Sequence, residues 1–159
     1  MGHFDEMSAV SVVAGKADLG TLKSLYPNGV EAKTAGFTAA AGTMYNVNDL
    51  DGCAIVLPAP SVGARIKFFI ADVTSNTHTI TSDAATTLYS GVVLSVDLVD
   101  GTAGKQFAFS PDGTDDRIIT LNGTTKGSSA VLEFVGESTT EWSVTGTIFG
   151  SGNVITPFS

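Results

Sequence analysis

The sequence predicts an all-β protein, an antiparallel β-sandwich of the jelly-roll type or a barrel, with an extended N-terminal arm. Short runs of β-forming residues recur between turn signals from Thr43 onward, and helical periodicity is nearly absent. The clearest example is 127–150, where apolar and polar residues alternate on both sides of a short polar turn. That pattern predicts a β-hairpin, and repeated short strands of this kind are typical of sandwiches and barrels.

Nine strands are predicted from these runs, at 44–47, 54–57, 66–71, 77–81, 88–94, 106–109, 117–121, 130–135 and 142–149. The pairs Asp112-Gly113 and Asn122-Gly123 mark tight turns, because glycine adopts a positive φ without steric cost. The only tryptophan, Trp142, lies within the last predicted strand, and we expect it to anchor the core.

Residues 1–42 are predicted to form the arm, and residues 43–159 to form a sandwich domain with a C-terminal tail. Asp18 is a candidate cap for a short helix. The arm packs on its own domain or extends over a neighbouring subunit, and the tail adds a final strand or reaches a partner. The residues predicted to contact other subunits are Phe4, Val10, Val12, Leu19, Leu22, Leu25, Val154, Ile155 and Phe158.

The composition narrows the classes of partner. The net charge is −8, so the summed field of the protein repels nucleic acid and anionic lipid. Only 15% of residues are charged, a composition that fits either extensive contact with other subunits or a β-rich monomer whose hydroxyl side chains suit exposed strands. No apolar run approaches the ~20 residues of a membrane helix. No signal peptide is recognised at the N-terminus, and we expect synthesis in the cytoplasm.

Candidate catalytic groups are few. The chain has two histidines, His3 and His78, and one cysteine, Cys53. A Cys53–His78 dyad requires the two side chains to be adjacent and a third group to orient them, and the alternation of the strand predicts His78 on the face opposite that of Ile80. Asp112, Asp115 and Asp116 are interpreted as turn-forming residues without a metal ion. We therefore expect neither catalysis nor a cofactor.

Several short elements follow one another along roughly residues 43–149: Leu57-Pro58, Gly63-Ala64, Phe68-Phe69, 76–80, Gly127-Ser128 and 142–146. Their order resembles that of small β-rich structural proteins of tailed bacteriophages, which include capsid decoration (cement) proteins, head fibres and fibre modules.

The resemblance implies a non-enzymatic virion protein. On this hypothesis the chain is a decoration protein on the capsid exterior, where it binds the major capsid protein, and it forms a homotrimer. The alternative is a fibre or spike module that binds a host glycan or surface protein. An exposed patch of aromatic and carboxylate side chains at one loop end of the domain would favour that alternative.

Overall fold

The computed structural model describes residues 25–71, 76–97, 105–151 and 154–159. The chain there is strand-rich, with eleven strands in those ranges. They are β1 (Gly29–Lys33), β2 (Phe37–Thr38), β3 (Thr43–Val47), β4 (Ala54–Val56), β5 (Arg65–Ile70), β6 (His78–Thr81), β7 (Leu88–Asp97), β8 (Gln106–Phe109), β9 (Ile118–Leu121), β10 (Ser129–Gly136) and β11 (Glu141–Gly150).

The nine strands predicted from the sequence are confirmed as β3 to β11, with shifts of a few residues at their ends. The hairpin is also confirmed, since β10 and β11 pair antiparallel from Ser129↔Phe149 to Gly136↔Trp142. Two further strands, β1 and β2, were not predicted, and both lie in the segment that the sequence analysis treated as an arm. The candidate helix after Asp18 falls on residues that lie outside the described ranges, apart from its end.

The strands form two mixed sheets. The larger sheet has the order β1-β3-β5-β10-β11-β7-β8, and the smaller one has the order β2-β4-β6-β9. The barrel alternative is wrong, because neither sheet closes on itself within the described chain. An antiparallel jelly roll is not confirmed, because five of the nine described strand pairings are parallel.

The parallel pairings have a simple origin in the path of the chain. The first six strands alternate between the two sheets, so β1, β3 and β5 stack in parallel in the larger sheet while β2, β4 and β6 stack in the smaller. Gly29 pairs with Thr43, and Thr43 with Ile66, so the successive spacings are 14 and 23 residues. Unequal turns of this kind leave no fixed-period repeat in the sequence.

One hydrophobic core lies between the sheets. Phe37 of the smaller sheet packs on Tyr45 of the larger, with ring centroids 4.8 Å apart. Tyr45 stacks on Phe68 at 5.5 Å, Phe68 meets Phe134 edge-on at 5.7 Å, and Phe134 contacts Tyr89 at 5.6 Å. The last four rings form an aromatic row on the larger sheet, and Phe37 links that row to the smaller sheet. Such contacts stabilise a core beyond the area that they bury.

Replacing the core tryptophan tests the packing. Trp142 is fully buried, and its indole N–H donates to the carbonyl of Pro58 at 3.1 Å. We expect Trp142→Ala to lower the free energy of unfolding by about 3–5 kcal/mol, since it removes a large buried side chain. Denaturant unfolding measures the loss. Val62→Ala, at an exposed loop position, is the control, with an expected change below about 0.5 kcal/mol. Equal stability of the two variants would contradict the assignment.

Candidate functional site

Five connections meet at one end of the two sheets, which we call the loop end, and all five lie in the described ranges. They are residues 39–42, 57–64, 82–87, 110–117 and 137–140. Backbone hydrogen bonds tie the start of β7 to two of these connections. The amide of Leu88 donates to the carbonyl of Thr140 at 3.0 Å, and the amide of Tyr89 donates to the backbone carbonyl of Asp116 at 2.9 Å. Loops on a rigid scaffold are where binding residues concentrate.

The loop over residues 57–64 is held by hydrogen bonds at both of its ends. The buried indole of Trp142 binds the carbonyl of Pro58 at its start. At its end the amide of Gly63 donates to the carbonyl of Gly136 at 2.9 Å, and the amide of Gly136 donates back to Ala64 at 2.8 Å. A Cβ at Gly136 would overlap the backbone of Ser61, so glycine is what allows this close approach.

Val62 lies at the tip of this loop with 78% of its surface exposed, the largest value among the described large apolar side chains. An apolar side chain on a loop with a fixed backbone can bind a partner without losing backbone entropy on association. The loop end therefore presents a preorganised apolar contact point.

Carboxylates lie on the same end. Oxygen atoms of Asp112, Asp115 and Asp116 all lie within 4.8 Å of one another. Their main partners are the amides of their own turn: Asp112 accepts from Thr114 at 2.8 Å, and Asp116 accepts from Asp112 at 2.7 Å. The backbone N–H of Thr114 lowers the pKa of Asp112. The arrangement matches the predicted role of these residues in forming a turn, and it gives this end of the molecule a negative surface.

A second group of interest lies toward the opposite end. Cys53 and His78 are adjacent, with the thiol sulfur 3.4 Å from His78 Nδ1 and the amide N–H of Cys53 donating to the same nitrogen at 3.0 Å. The prediction that His78 faces away from Ile80 was wrong, because both side chains are buried on the inner face of β6. Residues two positions apart on a strand point to the same face, so alternation, correctly applied, places His78 on the face of Ile80.

The environment of this pair does not favour nucleophilic chemistry. Burial raises the pKa of the Cys53 thiol to about 11, with a further contribution from the charge of Asp49. Burial also lowers the pKa of His78, although Asp49 acts in the opposite direction. Since Nδ1 accepts a backbone N–H, the proton of the neutral ring lies on Nε2, which has no hydrogen-bond partner among the described residues. A neutral thiol beside a neutral imidazole lacks the thiolate that such catalysis needs.

The residues predicted to contact other subunits fall in different places. Leu25 and Ile155 are exposed, and Val154 is half-buried. Phe158 is buried, forms a β-bridge with Ile119 and packs in the chain's own core. The remaining five lie outside the described residues, namely Phe4, Val10, Val12, Leu19 and Leu22.

Sequence reasoning did not single out the loop at 57–64 as a site. The only local signal was the spacing of Pro58, Pro60 and Gly63. This spacing indicates a turn, but it does not indicate which distant residues form hydrogen bonds with that turn. The contact from Trp142 to Pro58 joins residues far apart in the chain, and alternation carries no information about such neighbours.

In comparisons with known proteins, no protein-family model, curated protein or solved structure matches the chain. No helix in the described ranges is long and apolar enough to cross a membrane.

The buried imidazole of His78 predicts that the stability of the protein depends on pH. Because the pKa of His78 is lower in the folded state, the unfolded chain binds its proton first as the pH falls below the ordinary value of ~6.5. Stability is therefore full above that value and decreases as the pH falls toward the folded pKa. An NMR titration of the two histidines measures the shift directly, with His3→Gln to assign the signals. A His78 pKa at or above the ordinary value would contradict the prediction.

The burial of the Cys53 thiol predicts that its alkylation is slow in the folded protein. At pH 7.5 we expect Cys53 to react with iodoacetamide much more slowly in the folded protein than in urea, because the thiol is buried and its pKa is raised to about 11. Mass spectrometry follows the extent of alkylation, with a free-cysteine peptide as the reference. Equal rates in the folded and unfolded states would show that the thiol is accessible.

Proposed function

We propose that this protein is a non-enzymatic structural protein of a tailed-bacteriophage virion, a decoration protein that binds the outer surface of the capsid. The observation that carries the proposal is the rigid loop at 57–64, which holds an exposed apolar side chain at the loop end. The resemblance to phage structural proteins supports it, because the Leu57-Pro58 step and Trp142, two of the elements that make up that resemblance, are the groups that hold this loop.

The proposed mechanism is mechanical. Copies of the protein lie across joints between major capsid protein subunits and bury surface on each, with Val62 among the contacting side chains. A ligand that binds the assembled shell better than the separated subunits stabilises the shell by linkage. Such binding needs a complementary surface and no reacting group, which agrees with the neutral state of the Cys53–His78 pair.

A homotrimer is part of the proposal. Low charge and exposed apolar side chains favour contact between copies, and closed symmetry is the common way in which identical chains bury such surface. Leu25 and Ile155, the exposed members of the predicted contact set, are the described residues proposed for that interface.

The alternative is a fibre or spike module that binds a host glycan or surface protein. The carboxylates of Asp112 and Asp115 on the loop end favour it, since exposed acids on a fixed loop can accept hydrogen bonds from sugar hydroxyls. The aromatic half of the expected patch is missing from the described loops of that end, where the most exposed large side chain is Val62.

Charge introduced at the loop tip tests the decoration role. We expect Val62→Asp to weaken co-sedimentation with purified undecorated phage capsids by about tenfold or more, since a buried unpaired carboxylate at an interface costs well over 1.4 kcal/mol. The free energy of unfolding of the Val62→Asp variant should match that of the wild type, because the side chain of Val62 is exposed. Light scattering on the same samples gives the solution mass, for which the expected result is a trimer.

Leu50→Asp is the matched control, because Leu50 is also an exposed apolar residue, 51% accessible, in the connection at 48–53 at the opposite end. It should leave capsid binding unchanged. A wild-type protein that stays in the supernatant, but binds purified host cells, would replace the decoration role with the fibre-module alternative. Equal effects of the two substitutions would remove the loop end as the contact site.

A further inference from the structure

Each of the two sheets has two edge strands, and the described chain protects three of these four edges. β1 carries Glu31 and Lys33, whose side chains form an ion pair at 2.9 Å. β2 is only two residues long, and β9 is bonded on its outer side by residues 157–159, with the amide of Ile118 donating to the carbonyl of Ser159 at 2.8 Å. Charged side chains, short length and a covering segment all hinder an edge from pairing with another chain.

β8 is the fourth edge, and none of these protections is present there among the described residues. Its sequence, Gln106–Phe109, has no charged residue and no proline, and its only neighbour in the described sheet is β7. The amide of Asp97 donates to the carbonyl of Lys105 at 2.9 Å, which fixes the alternation of the antiparallel pair. The N–H and C=O groups of Gln106 and Ala108 therefore point away from β7, where a further strand can bind them.

Two phenylalanine side chains lie on the core side of β8. Register pairs Phe107 with Ser95 and Phe109 with Val93, and both partners are buried. Phe109 packs against the core, whereas Phe107 is 38% exposed, although the two rings are stacked with their centroids 6.3 Å apart. Aromatic side chains are enriched where proteins bind one another, and here one lies exposed on a strand with an open edge.

We propose that β8 pairs with β8 of a second copy of this chain, antiparallel and about a two-fold axis at Ala108. In that register Ala108 faces its own counterpart as a hydrogen-bonded pair, so the outward donors and acceptors of the two strands match. Phe107 of each copy then lies opposite Phe109 of the other, and the four rings form one cluster that buries the exposed surface of Phe107. The two seven-stranded sheets become one sheet of fourteen strands.

Charge selects the orientation of this pairing. Lys105 lies directly before β8, whereas Asp112, Asp115 and Asp116 follow it. Antiparallel pairing in the proposed register puts Lys105 of one copy opposite Pro111 of the other, next to Asp112, so opposite charges approach at both ends. Parallel pairing would place like charges side by side, which is unfavourable. The occupant is a second copy because β8 itself supplies both the complementary charges and the matching rings.

The β8 contact is separate from the three-fold interface proposed for Leu25 and Ile155, and it does not rest on the capsid role. It involves few residues in each copy, so we expect it to be weak and to form only at high protein concentration. Pairing at β8 doubles the mass of the species present in dilute solution, since a monomer becomes a dimer and a trimer becomes a closed hexamer. Sedimentation velocity over a range of concentrations measures that doubling. A mass that is unchanged at about 1 mM overturns the proposal.

A charge on the two-fold axis tests the contact. Ala108→Lys should raise the dissociation constant of the pair about fivefold or more, because two like charges would face each other directly. Ala32→Lys is the matched control, since Ala32 is an exposed alanine on β1, the other edge of the same sheet, and it should leave pairing unchanged. Denaturant unfolding checks that both variants remain folded. Equal dissociation constants for Ala108→Lys and the wild type overturn the proposal.

Cysteine cross-linking tests the register at a concentration where the wild type pairs. The two Cα atoms of a hydrogen-bonded antiparallel pair lie ~5.5 Å apart, within the range of a disulfide, so Ala108→Cys should give a linked pair in oxidised glutathione. Gln106→Cys is the control on the same exposed face of β8, because the two copies of position 106 lie roughly 14 Å apart in this register. Non-reducing electrophoresis measures both. Cross-linking at both positions overturns the antiparallel register, and its absence at position 108 overturns the pairing.

Discussion

The apolar contact between the two sheets is the interaction on which the rest of this structure depends. The first six strands alternate between the two sheets, so each early turn of the chain adds one strand to each side of a shared core. Phe37 meets Tyr45 across that core, and the hydroxyl of Tyr89 in the larger sheet donates to the carbonyl of Ile80 in the smaller at 3.0 Å. Separating the sheets would expose both inner faces at once.

The loop end derives its rigidity from that core. Trp142 is fully buried, yet its indole N–H reaches the carbonyl of Pro58, so the packing of one side chain also positions the connection that carries Val62. A loop held in this way loses little backbone entropy if it binds a partner. The carboxylates of Asp112, Asp115 and Asp116 lie in another connection at the same end of the sheets.

The Cys53–His78 pair shows what the same burial does to ionisable side chains. The two side chains have the proximity that a catalytic dyad requires, but the apolar surroundings favour the uncharged form of each. A Cys–His distance alone is thus weak evidence for catalysis. On the outward face of the larger sheet, by contrast, the apolar side chain of Val131 lies exposed, two residues before Glu133, whose carboxylate accepts a hydrogen bond from the hydroxyl of Tyr26.

The sequence by itself determined the strand-rich class, the nine strands from β3 to β11, the hairpin and the burial of Trp142, because local alternation reports which side of a strand faces a core. It did not determine β1 and β2, whose short runs carry little alternation, or the parallel stacking, whose unequal spacings leave no repeat. Only the tertiary structure decided that Val62 stands on a braced loop and that Phe158 packs in its own core. Those outcomes depend on contacts between residues distant in the chain, and a local pattern specifies faces but not neighbours.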